Sequence, residues 1–220
     1  FYNSMTAKDH YNKEYFDWQS EVGIFGATAN KIKFEKFINL NTKVLDFGCG
    51  GGYFLSQFDK IEKHGVEINE FARKAAQKNN LKVYESSKDI PSNYFDTIIS
   101  NNALEHTDNP LLELKELYRA LKINGKICIV VPLDNKKYKF KKNDKDFHLY
   151  SWSPMNLGNI LIAAGFDVIE SKPFVHKWFP YFYKIKKYMS WGIFHFFCRL
   201  YGSIDNRWCQ VRAVATKLKN

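Results

Sequence analysis

The sequence predicts an α/β protein with one mostly parallel sheet and helices packed on both of its faces. From Lys43 onward, short apolar runs alternate with segments of helical periodicity, which is typical of parallel strands joined by helices. The runs are apolar at consecutive positions, as expected for strands that are buried on both faces. A glycine-rich turn follows the first strand, and such sheets bind ligands at the carboxyl ends of their strands.

Seven strands are predicted from the apolar runs and the turn residues between them. Ile98 and Ile99 of the fourth strand are expected to be buried. Asn124-Gly125 favours a turn before the fifth strand, and Pro132 ends that strand because proline cannot donate to a sheet ladder. In chain order, the predicted strands are Lys43–Phe47, Lys63–Ile68, Leu81–Glu85, Phe95–Ser100, Lys126–Val131, Phe166–Ile169 and Trp208–Thr216.

Four helices are predicted between these strands. Asn109 can cap the third helix, and Pro110 suits its first turn. Gly165 closes the fourth helix before the next strand begins. In chain order, the helices run from the glycine turn through Phe58, over Asn69–Asn79, over Asn109–Leu121, and from Ser153-Pro154 to Gly165.

Composition and charge limit the classes of partner. The 220 residues are 45% apolar and 25% charged, which fits one globular domain with a substantial core. A formal net charge of +10 predicts an anionic partner: a phosphorylated or nucleotide-linked small molecule, nucleic acid, or an anionic membrane surface. Nucleic acid is disfavoured because the sequence contains no recognised binding motif.

Cysteine usage and hydropathy favour a cytoplasmic protein. The four cysteines form no C-x-x-C pair, so we expect buried reduced thiols rather than a zinc or disulfide site. The first 17 residues contain no apolar run, so no signal peptide is expected. The strongest apolar stretch, residues 190–198, is too short to span a bilayer.

The turn after the first strand is the most informative segment. It reads Asp46-Phe47-Gly48-Cys49-Gly50-Gly51-Gly52, and glycines permit positive φ and let a ligand lie against the backbone. A dinucleotide site would need a third glycine at Tyr53 for close helix–strand packing. The tyrosine therefore weighs against a nicotinamide cofactor.

Two further segments agree with a nucleoside ligand at this edge. Glu67 ends the second predicted strand, where a carboxylate can accept hydrogen bonds from both ribose hydroxyls. The alternative is a solvated acid at a strand end. The fourth strand continues into residues 101–106, and its carboxyl end is expected beside the first strand.

The pattern Asp46-x-Gly48-x-Gly50-x-Gly52, Glu67 and the run 95–106 resemble class I S-adenosylmethionine-dependent methyltransferases. The resemblance covers residues 43–131 closely. It implies a Rossmann-like seven-stranded sheet of order 3-2-1-4-5-7-6 with helices on both faces. It also implies S-adenosylmethionine as cofactor and S-adenosylhomocysteine as product.

The resemblance implies specific cofactor contacts. The glycine loop would pack against the methionine part, Glu67 would hold the ribose, and the backbone of Asn101 would meet the methionine amino group. Residues 85–91 match the segment that flanks adenine, with Ser86 where relatives often carry aspartate. The implied cofactor-binding residues are Asp46, Gly48, Cys49, Gly50, Gly52, Tyr53, Glu67, Ile68, Ser86, Ser87 and Asn101.

The chain then divides into three parts of one domain. Residues 1–42 form helices and a lid, residues 43–131 form the cofactor-binding core, and residues 132–220 form an acceptor-side half with an aromatic insertion at 175–205. Residues 10–19 resemble aromatic openings of bacterial glycan- and capsule-pathway methyltransferases, which close over the cofactor. Tyr11 and Tyr15 are four residues apart and would share a helix face. Plain packing of these aromatics onto the core is the alternative.

The acceptor side contains no strong catalytic constellation. Methyl transfer depends mainly on holding the acceptor in a near-attack geometry, and a hydroxyl acceptor also benefits from a base. His148 is the preferred base and His106 the second, because imidazole accepts a proton near neutral pH. A loop anchor is the structural alternative for His148. Glu105 and Asp108 could join a histidine as metal ligands, but no tight ligand spacing is present, so no metal site is predicted.

Two C-terminal segments remain open to several interpretations. The lysine-rich loop 134–147 can gather a phosphorylated or nucleotide-linked acceptor, or can simply be solvated. The aromatic stretch 178–201 can complete the acceptor pocket or a homodimer face, lie in a membrane interface, or be core.

We therefore predict an S-adenosylmethionine-dependent methyltransferase acting on oxygen of a sugar or another small polysaccharide-pathway building block. The alternatives are methylation of nitrogen or carboxylate in another small molecule, a nicotinamide-dependent oxidoreductase, and a non-catalytic adapter.

Overall fold

A computed structural model of the protein describes residues 13–20, 22–136, 138–140, 142, 146–205, 207 and 209–218. Its seven strands form one sheet in the order β3-β2-β1-β4-β5-β7-β6, which confirms the predicted order. The first five strands pair in parallel, whereas β7 is antiparallel to both of its neighbours. The strands are β1 Lys43–Phe47, β2 Glu62–Val66, β3 Lys82–Tyr84, β4 Phe95–Asn101, β5 Leu121–Pro132, β6 Asp167–Phe174 and β7 Gln210–Thr216.

The side chains of Asn69, Asn109, Ser153 and Ser190 cap the helices that follow them. Asn69 accepts hydrogen bonds from two backbone N–H groups of the next helix, and Asn109 accepts one from Leu112. Ser153 and Asn156 form a reciprocal capping box. The helices are α1 Lys13–Ser20, α2 Gly23–Ala29, α3 Lys31–Phe34, α4 Glu70–Lys78, α5 Pro110–Ala120, α6 Pro154–Ala163, α7 Phe182–Ile185 and α8 Trp191–Ile204.

Neighbouring residues of a strand point to opposite faces of the sheet, and both faces are buried. Leu45 and Ile98 belong to the core beneath α5 and α6, together with Leu114 of α5. Val44 and Ile99 belong to the core on the other face. Ile98 and Ile99 are both buried, as predicted. Consecutive apolar residues of a strand thus belong alternately to two hydrophobic cores, one on each face of the sheet.

The helix predicted through Phe58 does not form, and the sequence prediction was wrong there. Residues Leu55–Gln57 make only a short 3-10 turn. Gly48, Gly50 and Gly52 all have positive φ, so no right-handed helix can begin before Tyr53. The six residues that remain before Asp59 accommodate a single turn.

Several strand ends also differ from the predicted ones. β2 ends at Val66 rather than Ile68, and β6 continues from Asp167 to Phe174 because β7 pairs with it along its whole length. β5 already begins at Leu121, with Asn124 in the left-handed region within it. Gly165 follows α6 with φ of +105°, as its predicted role at the end of that helix requires.

The insertion between β6 and β7 packs on the N-terminal helices. Phe194 and Cys198 of α8 are fully buried against Ala29 of α2. Phe25 of α2 contacts the rings of four aromatic residues of the insertion, which are Trp178, Phe182, Trp191 and Phe194. One face of the predicted aromatic insertion is therefore core.

All four cysteines are buried and unpaired, as predicted. Within the described part of the chain, none of the helices combines the length and the apolar character needed to cross a bilayer.

Candidate functional site

A cleft of about 540 Å³ opens at the carboxyl ends of β1, β2 and β4. This is the edge at which the parallel sheet is expected to bind its ligand. Each connection that follows a strand contributes to the wall, and the start of α5 closes one side. The lining residues are Phe47, Gly48, Val66, Glu67, Ile68, Asn69, Ala72, Glu85, Ser86, Ser87, Lys88, Asn102, Ala103, His106, Thr107, Asp108, Asn109, Leu112 and Glu113.

The glycine loop follows β1 directly and is packed against protein. A Cβ on Gly48 would collide with the Cβ of Ala103, after β4, and a Cβ on Gly52 would lie 3.0 Å from the Cα of Ala76 in α4. Both glycines also have positive φ, which side chains tolerate poorly. Gly48 lines the cleft, whereas Gly50 and Gly52 lie behind its wall. Gly48 and Gly52 are therefore required by the packing and the conformation of the loop itself.

Glu67 is held in the cleft wall by two backbone donors. Its Oε2 accepts a hydrogen bond from the N–H of Gly50 at 2.9 Å, and its Oε1 accepts one from Asn69 at 2.8 Å. Burial raises the pKa of Glu67, while these two donors act in the opposite direction. A carboxylate has about four acceptor sites, so it can accept two more hydrogen bonds from a ligand.

Asp46 lies beneath the same loop rather than in the cleft wall. Its side chain is buried, and burial raises the pKa of Asp46 to about 8, with the nearby charge of Glu67 adding to the shift. The structure therefore places Asp46 in the buried interior, outside the cleft wall.

The predicted adenine segment lines the opposite side of the cleft. Ser86, Ser87 and Ile68, which are predicted cofactor residues, all lie in the wall. The hydroxyl of Ser86 accepts a hydrogen bond from the N–H of Lys88 at 3.3 Å. Arg119 of α5 fixes this connection, because its guanidinium donates to the carbonyl oxygens of Ser87 and Ile90.

Two neighbouring asparagines at the end of β4 have different surroundings. Asn102, rather than Asn101, lines the cleft and adopts φ of +52°. Its Oδ1 accepts a hydrogen bond from Gln210 of β7 at 2.7 Å. Asn101 instead turns away and accepts a hydrogen bond from Lys33 at 2.9 Å.

Lys33 is a residue that the sequence analysis did not identify. It is buried, and its burial lowers the pKa of Lys33 to about 7, against the opposing charge of Glu105. Nothing in the sequence around Lys33 indicates this position, because α3 has only four residues and no motif. The charge of this lysine is thus sensitive to pH near neutrality.

The two predicted histidines are brought together beside the cleft. His106 lines the cleft, and its ring centroid lies 4.9 Å from that of His148. The backbone N–H groups of Leu149 and Tyr150 donate to the carbonyl oxygen of Glu105 at 3.0 and 3.2 Å. The loop that carries His148 is thereby fixed to the turn after β4, although 42 positions separate the two histidines.

The remaining predicted cofactor residues lie outside the cleft wall or outside the described residues. Cys49 packs against Gly65 of β2, and burial raises the pKa of its thiol. The ring of Tyr53 lies over Gly51 and Gly23, where an added Cβ would come within 2.5 and 2.6 Å of it. Tyr11 and the side chain of Tyr15 lie outside the described residues, so the lid stays a prediction.

The methyltransferase-domain family matches residues 24–171, which is 148 of the 220 residues. The chain belongs to this methyltransferase family. The predicted class I methyltransferase family and its fold are thereby confirmed. The match extends from α2 into β6 and includes every described residue of the cleft wall.

Curated relatives match this methyltransferase over about half of their length. The uncharacterized methyltransferase YdaC of Bacillus subtilis is 29% identical over 105 residues, which cover 43% of this chain and 58% of that protein. A tRNA U34 carboxymethyltransferase of Helicobacter pylori is 32% identical over 132 residues, covering 50% of this chain and 49% of that protein. A chloroplastic 2-methyl-6-phytyl-1,4-hydroquinone methyltransferase of Arabidopsis thaliana is 31% identical, covering 41% and 30%.

Solved structures share the fold of this methyltransferase. A methyltransferase from Thermotoga maritima superposes with a TM-score of 0.64 at 21% identity, covering 93% of this chain and 94% of that one. A phosphoethanolamine N-methyltransferase of Haemonchus contortus superposes with a TM-score of 0.62 at 14% identity, covering 93% and 60%.

Proposed function

We propose that this methyltransferase binds S-adenosylmethionine in the cleft and methylates a hydroxyl of a small anionic acceptor, such as a sugar or another polysaccharide-pathway building block. The observation that carries the cofactor assignment is the carboxylate of Glu67. It lies in the cleft wall, is held by Gly50 and Asn69, and keeps acceptor sites for two ribose hydroxyls.

The other walls of the cleft fit the rest of the cofactor. Ile68 offers an apolar surface for the adenine ring, and the hydroxyl of Ser86 lies in the same wall. Gly48 allows the methionine part to approach the backbone. When bound, the cofactor supplies an activated methyl group on its sulfonium.

The protein's own contribution is to position the acceptor and exclude water. Effective positioning alone accounts for a large part of such a transfer. His106 lines the cleft and His148 lies beside it, so either imidazole can accept the proton of an acceptor hydroxyl. An amine or carboxylate acceptor would not need this base, and these acceptors are the second candidates.

The acceptor is proposed to carry a negative charge. Lys136, Lys139 and Lys142 are exposed on the loop between β5 and the His148 segment. Lysines here can attract a phosphorylated or nucleotide-linked molecule to the mouth of the cleft. The Haemonchus structure holds phosphomonomethylethanolamine, a small phosphorylated acceptor, together with S-adenosylhomocysteine.

The cofactor assignment is tested by calorimetric titration of S-adenosylhomocysteine. Glu67→Gln keeps the size of the side chain but removes its charge, so we expect affinity to fall by about 10- to 100-fold, the equivalent of roughly 1.5–3 kcal/mol for charged hydrogen bonds. Glu70→Gln, an exposed change on α4, is the matched control. Absence of binding by the folded parent, or equal affinity for Glu67→Gln, would contradict the proposal. Binding of NADH instead would favour an oxidoreductase.

The acceptor is tested by transfer of a labelled methyl group to a panel of sugar phosphates, nucleotide sugars, phosphorylated amines and quinols. Mass spectrometry of the product distinguishes O-methyl from N-methyl and carboxyl-methyl esters. We expect an O-methylated sugar product. Transfer to an amine alone would reject the hydroxyl acceptor, and cofactor binding without turnover on any acceptor would favour an adapter.

The outer face of α8 is proposed to contact an anionic membrane surface. Five apolar residues at helical spacing are exposed there: Ile193, Phe196, Phe197, Leu200 and Ile204. Lys184 and Lys187 are exposed just before the helix, as is the ring of Tyr188. A helix with an apolar face, basic neighbours and interfacial aromatics is typical of peripheral membrane binding. A homodimer formed through the same face is the competing outcome.

A further inference from the structure

The turn after β4 contains a buried carboxylate whose hydrogen-bonding capacity is unused. Glu105 has no exposed surface, and neither of its two side-chain oxygens has a hydrogen-bond partner among the described residues. Buried carboxylates are normally paired, hydrogen-bonded or bound to a metal. The charge of Lys33 acts on Glu105, but the hydrogen bond of its Nζ goes to Asn101. The carboxylate of Glu105 is therefore buried without a hydrogen bond among the described residues.

Two imidazoles face this carboxylate. The Nε2 of His106 lies 3.8 Å from Oε1 of Glu105. One ligand atom from each of Glu105, His106 and His148 lies within 4.8 Å of the other two. Metal–nitrogen bonds of about 2.0–2.1 Å place two ligands of one ion roughly 3–4 Å apart. The three ligand atoms lie within 4.8 Å of one another, slightly beyond that spacing, and His148 is exposed.

We propose that Glu105, His106 and His148 bind one divalent transition-metal ion; with the ion bound, the two imidazoles act as ligands and not as the general base considered above. One carboxylate and two imidazoles suit Zn²⁺ and Mn²⁺ and leave coordination positions open. His106 forms part of the cleft wall, so the open positions are accessible from the cleft. The sequence analysis set a metal aside because the ligands are not tightly spaced along the chain, but the backbone bonds from Leu149 and Tyr150 to Glu105 close that distance.

Hydrogen bonds hold the turn that carries Glu105 and His106 against the loop that carries His148. The hydroxyl of Tyr150 donates to the carbonyl oxygen of Asp108 at 3.1 Å, in addition to the two backbone bonds to Glu105. The carboxylate of Asp146 adds a negative charge near Glu105, which favours a cation. A site with its ligands fixed in this way loses little conformational freedom on binding.

The test measures binding of the metal alone, by calorimetry with Zn²⁺ and by electron paramagnetic resonance with Mn²⁺. We expect one equivalent to bind the cofactor-free protein. His148→Ala removes an exposed ligand and leaves the fold intact, and Glu105→Gln is nearly isosteric; each is expected to weaken binding by at least tenfold. In a second histidine pair, Nε2 of His176 lies 3.0 Å from Nδ1 of His195, and this pair belongs to no metal-ligand cluster among the described residues.

His195→Gln is therefore the matched control and is expected to bind the ion like the parent. The proposal is overturned if the folded parent binds no ion, if His148→Ala binds as tightly as the parent, or if only His195→Gln loses binding. Neither readout uses S-adenosylmethionine or turnover, so the result stands apart from the test of the cofactor site.

Discussion

Two acids lie close together at the end of β1 and β2, and they have different tasks. Glu67 lines the cleft and is held by two backbone donors. Asp46 lies beneath the loop, where burial raises its pKa to about 8 from an ordinary value of 3.8. A group whose pKa is raised by folding binds more protons in the native state than in the unfolded state between those two values. Stability then falls as pH rises through this window.

We predict that Asp46→Asn removes this loss of stability. Thermal melts of the cofactor-free protein at pH 5, 6, 7 and 8 should show a melting-temperature difference, variant minus parent, that grows with pH and levels off above about pH 8. A free-energy change of about 1 kcal/mol corresponds to roughly 2–4 °C for a protein of this size. Asp59→Asn, an exposed change, should show no such trend. A pH-independent difference for Asp46→Asn would contradict the prediction.

Among the elements, α5 determines the shape of the adenine side of the cleft. Its Arg119 donates hydrogen bonds to Ser92, Ser87 and Ile90, all in the connection from β3 to β4. The same guanidinium pairs with Glu116 of its own helix. One side chain thus ties a loop that has little secondary structure of its own to a capped helix. The loop is ordered before any ligand arrives.

We predict that Arg119→Met loosens this loop and weakens S-adenosylhomocysteine binding several-fold, although Arg119 is not in the cleft wall. Hydrogen bonds to charged groups contribute about 1.5–3 kcal/mol each, so the melting temperature should also fall. Calorimetry and thermal melts measure both effects. Lys115→Met, an exposed change on the same helix, is the control. Unchanged affinity with a lowered melting temperature would show that the loop shape does not depend on Arg119.

The elements also show why the sequence predicted some features and missed others. The approximate positions of the strands, Gly48 and Glu67 follow local patterns, which the sequence displays directly, whereas the strand order and Ser86 were implied by the resemblance to a known family. Lys33, Arg119 and Asn102 act through contacts between segments far apart in the chain, and no local pattern reports those. The failed helix before Phe58 shows the same limit, because three positive φ angles shortened the segment.

On the scale of the whole molecule, the net charge of +10 and the exposed apolar face of α8 both favour the proposed contact with an anionic membrane. The inner face of α8 is fully used by Phe194 and Cys198, so its outer apolar face has no described partner within the chain. Contact with an anionic surface would cover this face and neutralise nearby lysines.

We predict that the protein floats with vesicles of phosphatidylglycerol and phosphatidylcholine but not with phosphatidylcholine alone. Phe196→Ser combined with Ile204→Ser should abolish flotation, because both side chains are exposed and apolar. Met155→Ser, an exposed apolar change on α6, is the control. Sedimentation of the parent as a dimer that the double variant converts to a monomer, without flotation, would instead identify the face as a homodimer interface.

The position of β7 has a consequence for synthesis. β7 is the last of the described strands along the chain, yet it lies between β5 and β6. Among the described residues, β6 pairs with β7 alone, and β7 is the partner of the edge of β5 that faces away from β4. While the ribosome is still making the α8 segment, the nascent chain must keep the edge of β5 unpaired. An unpaired strand edge can associate with other chains. A chaperone that shields this edge during translation would therefore reduce aggregation more for this protein than for one whose strands join the sheet in chain order.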